Sequence, residues 1–258
     1  MSTCTYTVDE HGVALMKINK PPMNALGTAV IADIRQAVEK ALADDSVRVV
    51  VFTGEGKAFI AGADITEFTD LNTQQAGSDW LKPGQEALNL IAGANKPFIA
   101  AINGFALGGG CEVALACHIR LADENAQMGL PEIKLGIIPG FGGTQRAPRQ
   151  FGTGRAYELI LSGNFITGRQ AAEYGIVNRC VPKGEVVNEA IKLAKAIALR
   201  GRPAVKAAME VIQKGLLMEF NAALKMERDA FGALCETENK REGIAAFLEK
   251  RDPVAKDR

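Results

Sequence analysis

Ala101-Ile102-Asn103-Gly104-Phe105-Ala106-Leu107-Gly108-Gly109-Gly110-Cys111-Glu112-Val113-Ala114-Leu115-Ala116-Cys117 is an apolar run, then a glycine turn, then an apolar helix that carries one acid. Three consecutive glycines admit dihedrals that a side chain forbids, and they let backbone come close to a ligand. The first N–H groups of the helix have no partner inside it, and its dipole adds positive potential at that end. Such a turn suits a negatively charged oxygen. Glu112 stands about one turn into the helix, among Val, Ala, Leu and Cys, where a carboxylate needs a partner or a task.

Working outward, residues 98–102 read as a short buried strand that feeds the turn. Upstream, residues 47–52 form a second β-branched apolar run, and residues 53–65 follow it as a small-residue turn. That turn lies at the C-terminal end of a strand, where open α/β sheets place their ligands. Residues 28–43 carry apolar positions at helical spacing, with Thr28 as the expected N-cap. Residues 5–8 and 13–18 read as an opening hairpin, and the proline-containing segment 20–27 as a loop. A helix over 73–93 is expected to break at Pro83-Gly84.

Downstream, residues 119–122 and 126–128 read as short strands. Residues 130–143 are too rich in Gly and Pro for a regular element and too apolar for a solvent loop, which suggests burial against a site. Helices are expected over 154–162, 167–174, 186–199, 203–214, 219–234 and 240–249, with a short strand at Ile176-Val177. The last three helices carry apolar faces broader than a helix hairpin hides, so a partner subunit is expected to cover them. No internal repeat is visible. Strand–helix alternation to about residue 180 argues an α/β core, and the tail argues a helical extension.

The chain has 258 residues, with 30 basic and 30 acidic side chains. Charges that cancel leave no bulk field favouring nucleic acid or an anionic membrane, so partners must be recognised locally. Cys4, Cys111, Cys117, Cys180 and Cys235 are odd in number and scattered, which suits a reducing cytosol and neither a disulfide frame nor a zinc site. The N-terminal residues lack a basic and an apolar targeting region, and no segment reaches the ~18 apolar residues of a membrane span. His11 and His118 are the only histidines, read as a surface and a packing residue, which leaves little room for a Ser-His-Asp or Cys-His enzyme.

Two glycine-flanked turns thus follow buried strands, and two acids, Glu112 and Glu132, lie near the second. If both turns present amides to one spot, they stabilise an enolate oxygen, and losing one such donor costs ~2.7–4 kcal/mol. Two carboxylates at that spot can take a proton from water and give one to carbon, provided one is ionised while the other is protonated. No metal and no redox cofactor is needed. Taken singly, Glu112 is also a helix first-turn acid, Glu132 a turn acid after Pro131, and Lys250 a solvated surface lysine. The triple glycine is not a dinucleotide fingerprint.

Ala61-Gly62-Ala63-Asp64-Ile65, Asn103 to Glu112, Leu130-Pro131-Glu132 and Gly136 to Arg146 together resemble the enoyl-CoA hydratase (crotonase) family. The likeness runs through the whole chain and ends in Phe247-Leu248-Glu249-Lys250-Arg251. It implies an α/β crotonase-like spiral of ββα units over residues 1–200 and a C-terminal helical trimerisation region over 201–258, assembled as a trimer or dimer of trimers. It implies oxyanion amides at Ala63 and Gly109, acid–base chemistry at Glu112 and Glu132, and a water seated by Gly140. Ala61, Asp64, Ile65 and Thr66 match the segment lining the CoA pocket, and Phe247 and Lys250 match residues near the adenine and phosphate end.

Three positions depart from the family pattern: Leu130 where Gln is common, Thr66 where Lys is frequent, and His118 where Asp is usual. Leu130 is expected to shape the acyl pocket. Both acids are present, which favours hydration. The reading is therefore a cytosolic hydro-lyase adding water to a short- or medium-chain 2-enoyl-CoA, with coenzyme A as part of the substrate and no further cofactor. A crotonase-fold isomerase, hydrolase or hydratase for a bulkier acyl group is the alternative, and a non-catalytic acyl-CoA or RNA-associated scaffold is a third.

Overall fold

The structure is a computed structural model that describes residues 2–255. The opening hairpin forms as expected, β1 (Cys4–Val8) pairing antiparallel with β2 (Val13–Ile18). Helix α1 (Thr28–Ala43) follows, burying Val30, Ile31, Ile34, Val38 and Ala41 on one face. Its N-cap is Gly27, not Thr28. Thr28 is the first helical residue, and both its N–H and Oγ1 donate to Glu67. A carboxylate 39 residues away in sequence thus caps the helix.

Three successive units then repeat one path. Each sends a strand into a large sheet, a short strand into a small sheet, and then a helix across the core. The first is β3 (Val49–Gly54), β4 (Ala58–Ile60) and α2 (Gln74–Ala92), with a 3-10 turn at Ile65–Phe68 between them. The second is β5 (Phe98–Ile102), β6 (Phe105–Leu107) and α3 (Gly109–Ala116). The third is β7 (Ile119–Asp123), β8 (Gln127–Gly129), a 3-10 turn at Pro131–Leu135 and α4 (Gly143–Phe151). The repeat lives in the backbone path and leaves no repeat in the sequence, because three-residue strands set no lasting pattern.

The large sheet has strand order β1-β2-β3-β5-β7-β10, parallel from β2 onward, with β10 at Arg179–Val181. The small sheet runs β4-β6-β8-β9, with β9 at Ile166–Thr167. Alternate residues of β3 face opposite layers, and both are buried. Val50 and Phe52 join the main core, whereas Val49 and Val51 pack with Ala190, Ala194 and Ala198 of α7 (Val186–Ala198). That two-sided burial explains the unbroken apolar runs.

Three sequence expectations give way here. Helix α2 continues through Pro83. Proline removes one backbone hydrogen bond, and the buried face of Gly84, Ala87, Leu88 and Ile91 holds the helix together across it. Gly84 is no breaker: a Cβ there would meet Phe141 Cε1 at 2.3 Å, so the glycine seats that ring. Ile176-Val177 is a buried turn whose two amides share the Ala171 carbonyl, and the strand lies three residues on, in β10. Residues 130–143 contain a regular element after all, the 3-10 turn opened by Pro131 and closed by Gly136 at φ 75.

Helices α5 (Thr153–Ser162) and α6 (Gly168–Glu173) complete the body. Beyond it lie α8 (Arg202–Gly215), α9 (Phe220–Cys235) and α10 (Glu238–Glu249). Neither α8 nor α9 buries a side chain. Gln213 ties α8 to the body, its amide donating to the Ala92 and Ala94 carbonyls. Residues 256–258 of the expected C-terminal region lie outside the described residues.

Candidate active site

Parallel pairing assembles the site. β4 lies beside β6, with Ala58 opposite Phe105, and β6 lies beside β8, with Leu107 opposite Gly129. Neighbouring parallel strands end on the same side, so their exits meet: Ala61 to Ala63 after β4, Gly108 to Gly110 after β6, Pro131-Glu132 after β8. All three exits line one cleft of about 210 Å³. A roomier cleft of about 430 Å³, beside Lys96, Arg202 and Lys206, contains none of the predicted site residues.

The glycine run has separate reasons at separate positions. Gly108 holds φ 52, a conformation that strains other residues, and a Cβ on it would meet Glu132 Oε1 at 2.9 Å. Gly110 packs so closely on β4 that a Cβ would lie 2.0 Å from the Ile60 carbonyl oxygen. Gly109 is the first residue of α3, so its N–H has no partner within the helix, and the residue lines the cleft at the positive end of the helix dipole. Ala63 is held opposite, between amides of Ala61 and Asp64 that donate to the Met23 and Leu26 carbonyls.

Glu112 and Glu132 both line the cleft. Glu112 is 1% exposed, and its Oε1 accepts a 2.6 Å hydrogen bond from the Gly143 N–H. Burial first, and then repulsion from the Glu132 carboxylate, push Glu112 up to about 8. The Gly143 and Phe141 amides and the Arg146 guanidinium pull the other way. Burial also raises Glu132, against the pull of its own backbone N–H, and its Oε2 is buried with no hydrogen-bond partner among the described residues. Burial and their mutual repulsion disfavour ionising both carboxyls together, so the pair gives up its last proton above the ordinary carboxylate range.

Of the other predicted residues, Ala61, Ile65 and Gly140 line the cleft, and the Gly140 carbonyl accepts from Gln85 Nε2 at 2.7 Å. Asp64 and Thr66 do not. Asp64 Oδ1 accepts from Thr66 Oγ1 at 2.6 Å, capping the 3-10 turn, and Oδ2 pairs with Lys20 at 3.4 Å. Phe247 is exposed on α10 and Lys250 is its left-handed cap, both outside the cleft. Leu130 corrects an expectation: it is fully buried in the main core and lines no part of the cleft, because the chain turns inward at the end of β8. His118 is a packing residue as read, its Nδ1 accepting from Phe98 N at 3.0 Å.

Sequence reasoning missed the aromatic wall of Phe68, Trp80 and Phe141. It also missed Arg146, whose Nη1 donates to the Phe141 carbonyl at 2.7 Å and so fixes the turn that offers Gly143 to Glu112. A lone tryptophan in an amphipathic helix was the one available signal for the wall.

One cleft thus gathers the start of α3, a buried carboxyl at Glu112 and a half-buried one at Glu132, both raised above the ordinary carboxylate range. The chain belongs to the enoyl-CoA hydratase/isomerase family, whose match covers residues 9–258. It is 42% identical to a probable enoyl-CoA hydratase of Bacillus subtilis over 99% of each chain. It is 41% identical to the crotonyl-CoA hydratase of Syntrophomonas wolfei over 94% of each. The crystal structure of an enoyl-CoA hydratase from Bacillus anthracis superposes with a TM-score of 0.94 at 38% identity, covering 99% of this chain and all of that one. The two-sheet spiral is accordingly the crotonase fold.

Proposed function

We propose that this protein is an enoyl-CoA hydratase that adds water reversibly across the 2,3 double bond of a short- or medium-chain 2-enoyl-CoA. The observation that carries the reading is the placement of Glu112 and Glu132 in one cleft with the glycine turn at the start of α3. The thioester oxygen rests on the Ala63 and Gly109 amides, which draw electron density from C3 and hold the enolate as it forms.

In the reacting arrangement the pair's one proton is assigned to Glu132, which leaves Glu112 ionised beside two amides and a guanidinium that favour its charge. Glu132 carries the proton on its bare oxygen. Part of the upward push on Glu112 comes from a charged Glu132, and that part vanishes once Glu132 is protonated. A water seated by Gly140 loses a proton to Glu112 as its oxygen bonds to C3, and Glu132 gives its proton to C2. Proton return from Glu112 to Glu132 restores the starting state. Coenzyme A is part of the substrate, and the reading needs no further cofactor.

Assembly as a trimer or dimer of trimers and a cytosolic location belong to the same proposal, supported by the uncovered helical tail and by cysteines that are all free. Phe247 and Lys250 are assigned to the adenine and phosphate end, where Lys250→Ala raises KM. The central test is loss of enoyl absorbance with crotonyl-CoA, repeated with Glu112→Ala and Glu132→Ala. Each variant is expected to fall ~10²- to 10⁴-fold. Full rates in folded variants sink the mechanism.

A further inference from the structure

The cleft lining is exposed in one part and buried in another. Rim side chains are exposed: Ile65 at 59%, Leu135 at 59% and Ile138 at 63%. The buried part includes Phe141, 3% exposed, with the half-buried Trp80 stacked on it at 5.4 Å and an interplanar angle of 24°. A CoA group is large and charged and stays on the rim side, so the hydrocarbon of the acyl group runs toward the aromatic end.

Trp80 is fastened there from behind. Its Nε1 donates to Glu67 Oε2 at 2.9 Å. The same carboxylate oxygen accepts from Thr28 N at 3.0 Å and Thr28 Oγ1 at 2.7 Å, at the N-terminus of α1. Phe68 meets the indole edge-on at 4.7 Å and 88°. Swinging the ring aside would break the hydrogen bond, the stack and the edge contact together, so the indole acts as a fixed wall.

We infer that Trp80, pinned by Glu67, is the specificity-determining residue that stops the acyl chain and restricts the site to short acyl-CoA thioesters. For its substrate class this rests on the hydratase reading, but the length limit is testable without turnover. Saturated butyryl-, hexanoyl-, octanoyl- and decanoyl-CoA are titrated by calorimetry into wild type, Trp80→Ala, Trp80→Phe and Glu67→Ala, and the matching 2-enoyl-CoAs are assayed for hydration. Trp80 is the chain's one tryptophan, so a change of its emission on binding reports contact with the acyl group directly.

A well-fitted apolar wall discriminates about 10- to 200-fold per methylene. Wild type is therefore expected to favour the four-carbon ligand over the ten-carbon one at least ~10-fold. Trp80→Ala should raise the ten-to-four-carbon ratio at least ~10-fold in binding and in kcat/KM, Glu67→Ala should move it the same way by freeing the ring, and Trp80→Phe should fall between. An unchanged ratio in folded Trp80→Phe and Glu67→Ala, or a wild type that binds decanoyl-CoA as tightly as butyryl-CoA, overturns the assignment. Length-dependent binding without hydration keeps the wall and removes the hydratase reading.

Discussion

Glu112 Oε1 takes a 2.6 Å hydrogen bond from the Gly143 N–H, joining α3 to the first residue of α4 across 31 residues of chain. That amide is presented by a turn in which Gly142 holds φ 105 and Arg146 Nη1 grips the Phe141 carbonyl. The Arg146 guanidinium is anchored from its other side by Asn89 Oδ1 at 2.8 Å. Arg146 therefore positions the partner of Glu112 and also pulls its pKa down through its charge.

Arg146→Met is expected to lower kcat about 10²-fold, the scale of an ångström-level misplacement. The pH profile separates positioning from mere folding. Removing the cation raises Glu112 further, so the acid limb of kcat/KM moves to higher pH, while Arg146→Lys keeps much of the limb in place. An Arg146→Met profile that superposes on wild type would exclude the electrostatic part.

Stability should carry the mark of the same carboxyl. Facing an ionised Glu132, Glu112 is held up to about 8 in the folded chain against 4.5 for a free glutamate, so the pair keeps one proton, on whichever carboxyl it rests. Between those values the unfolded chain has released a proton that the folded chain still holds, so stability falls as pH rises from about 4.5 to about 8 and is flat beyond. Glu112→Gln removes the coupling between the two carboxylates and leaves only the slope from Glu132, which burial also raises. Denaturant titrations at pH 5, 6, 7 and 8 read it as a wild-type midpoint that declines more steeply than the variant's, and parallel curves would show that Glu112 titrates normally.

Gly110 makes a prediction about packing alone. With the Ile60 carbonyl oxygen 2.0 Å from where a Cβ would stand, Gly110→Ala must push α3 away from β4. Overpacking of this kind costs about 1–3 kcal/mol, and it also separates Gly109 from Ala63. The variant should melt earlier and lose activity beyond what its folded fraction explains. A variant with wild-type melting and activity would show that α3 and β4 are less closely joined.

What the sequence made legible was whatever a local pattern encodes. Apolar positions at helical spacing located α1 to within one residue at its start, and the all-apolar run of β5 gave both its ends, because periodicity and burial act within a few residues. The two acids and the two turns were readable through their motifs. What escaped depends on distant partners. Thr28 looked like a cap until Glu67 arrived from another unit, and Pro83-Gly84 looked like a break until Phe141 filled the glycine's face. Leu130 looked like a pocket residue only because it neighbours Glu132 in sequence. The polar segment of α4 gave no apolar stripe, since it buries just Gly143 and Ala147.

The helical tail leads to the last prediction. In α8, and from its end through α9, Ile212, Leu216, Leu217, Phe220 and Phe231 stand 64–84% exposed, though a large apolar side chain gains roughly 1.5–3 kcal/mol on burial. Three of these residues stand on helices with no fully buried side chain and two in the link between them, and a second copy of the chain is the cover proposed for them. Leu217→Glu with Phe220→Glu places carboxylates in that interface, where desolvation penalises them. Light scattering should show wild type as a multiple of the 27.5 kDa chain and the double variant as smaller species. The thermal midpoint of wild type, but not of the variant, should rise with protein concentration, because association stabilises by mass action. A monodisperse single chain for wild type at micromolar concentration would mean that these helices are covered by something other than their own kind.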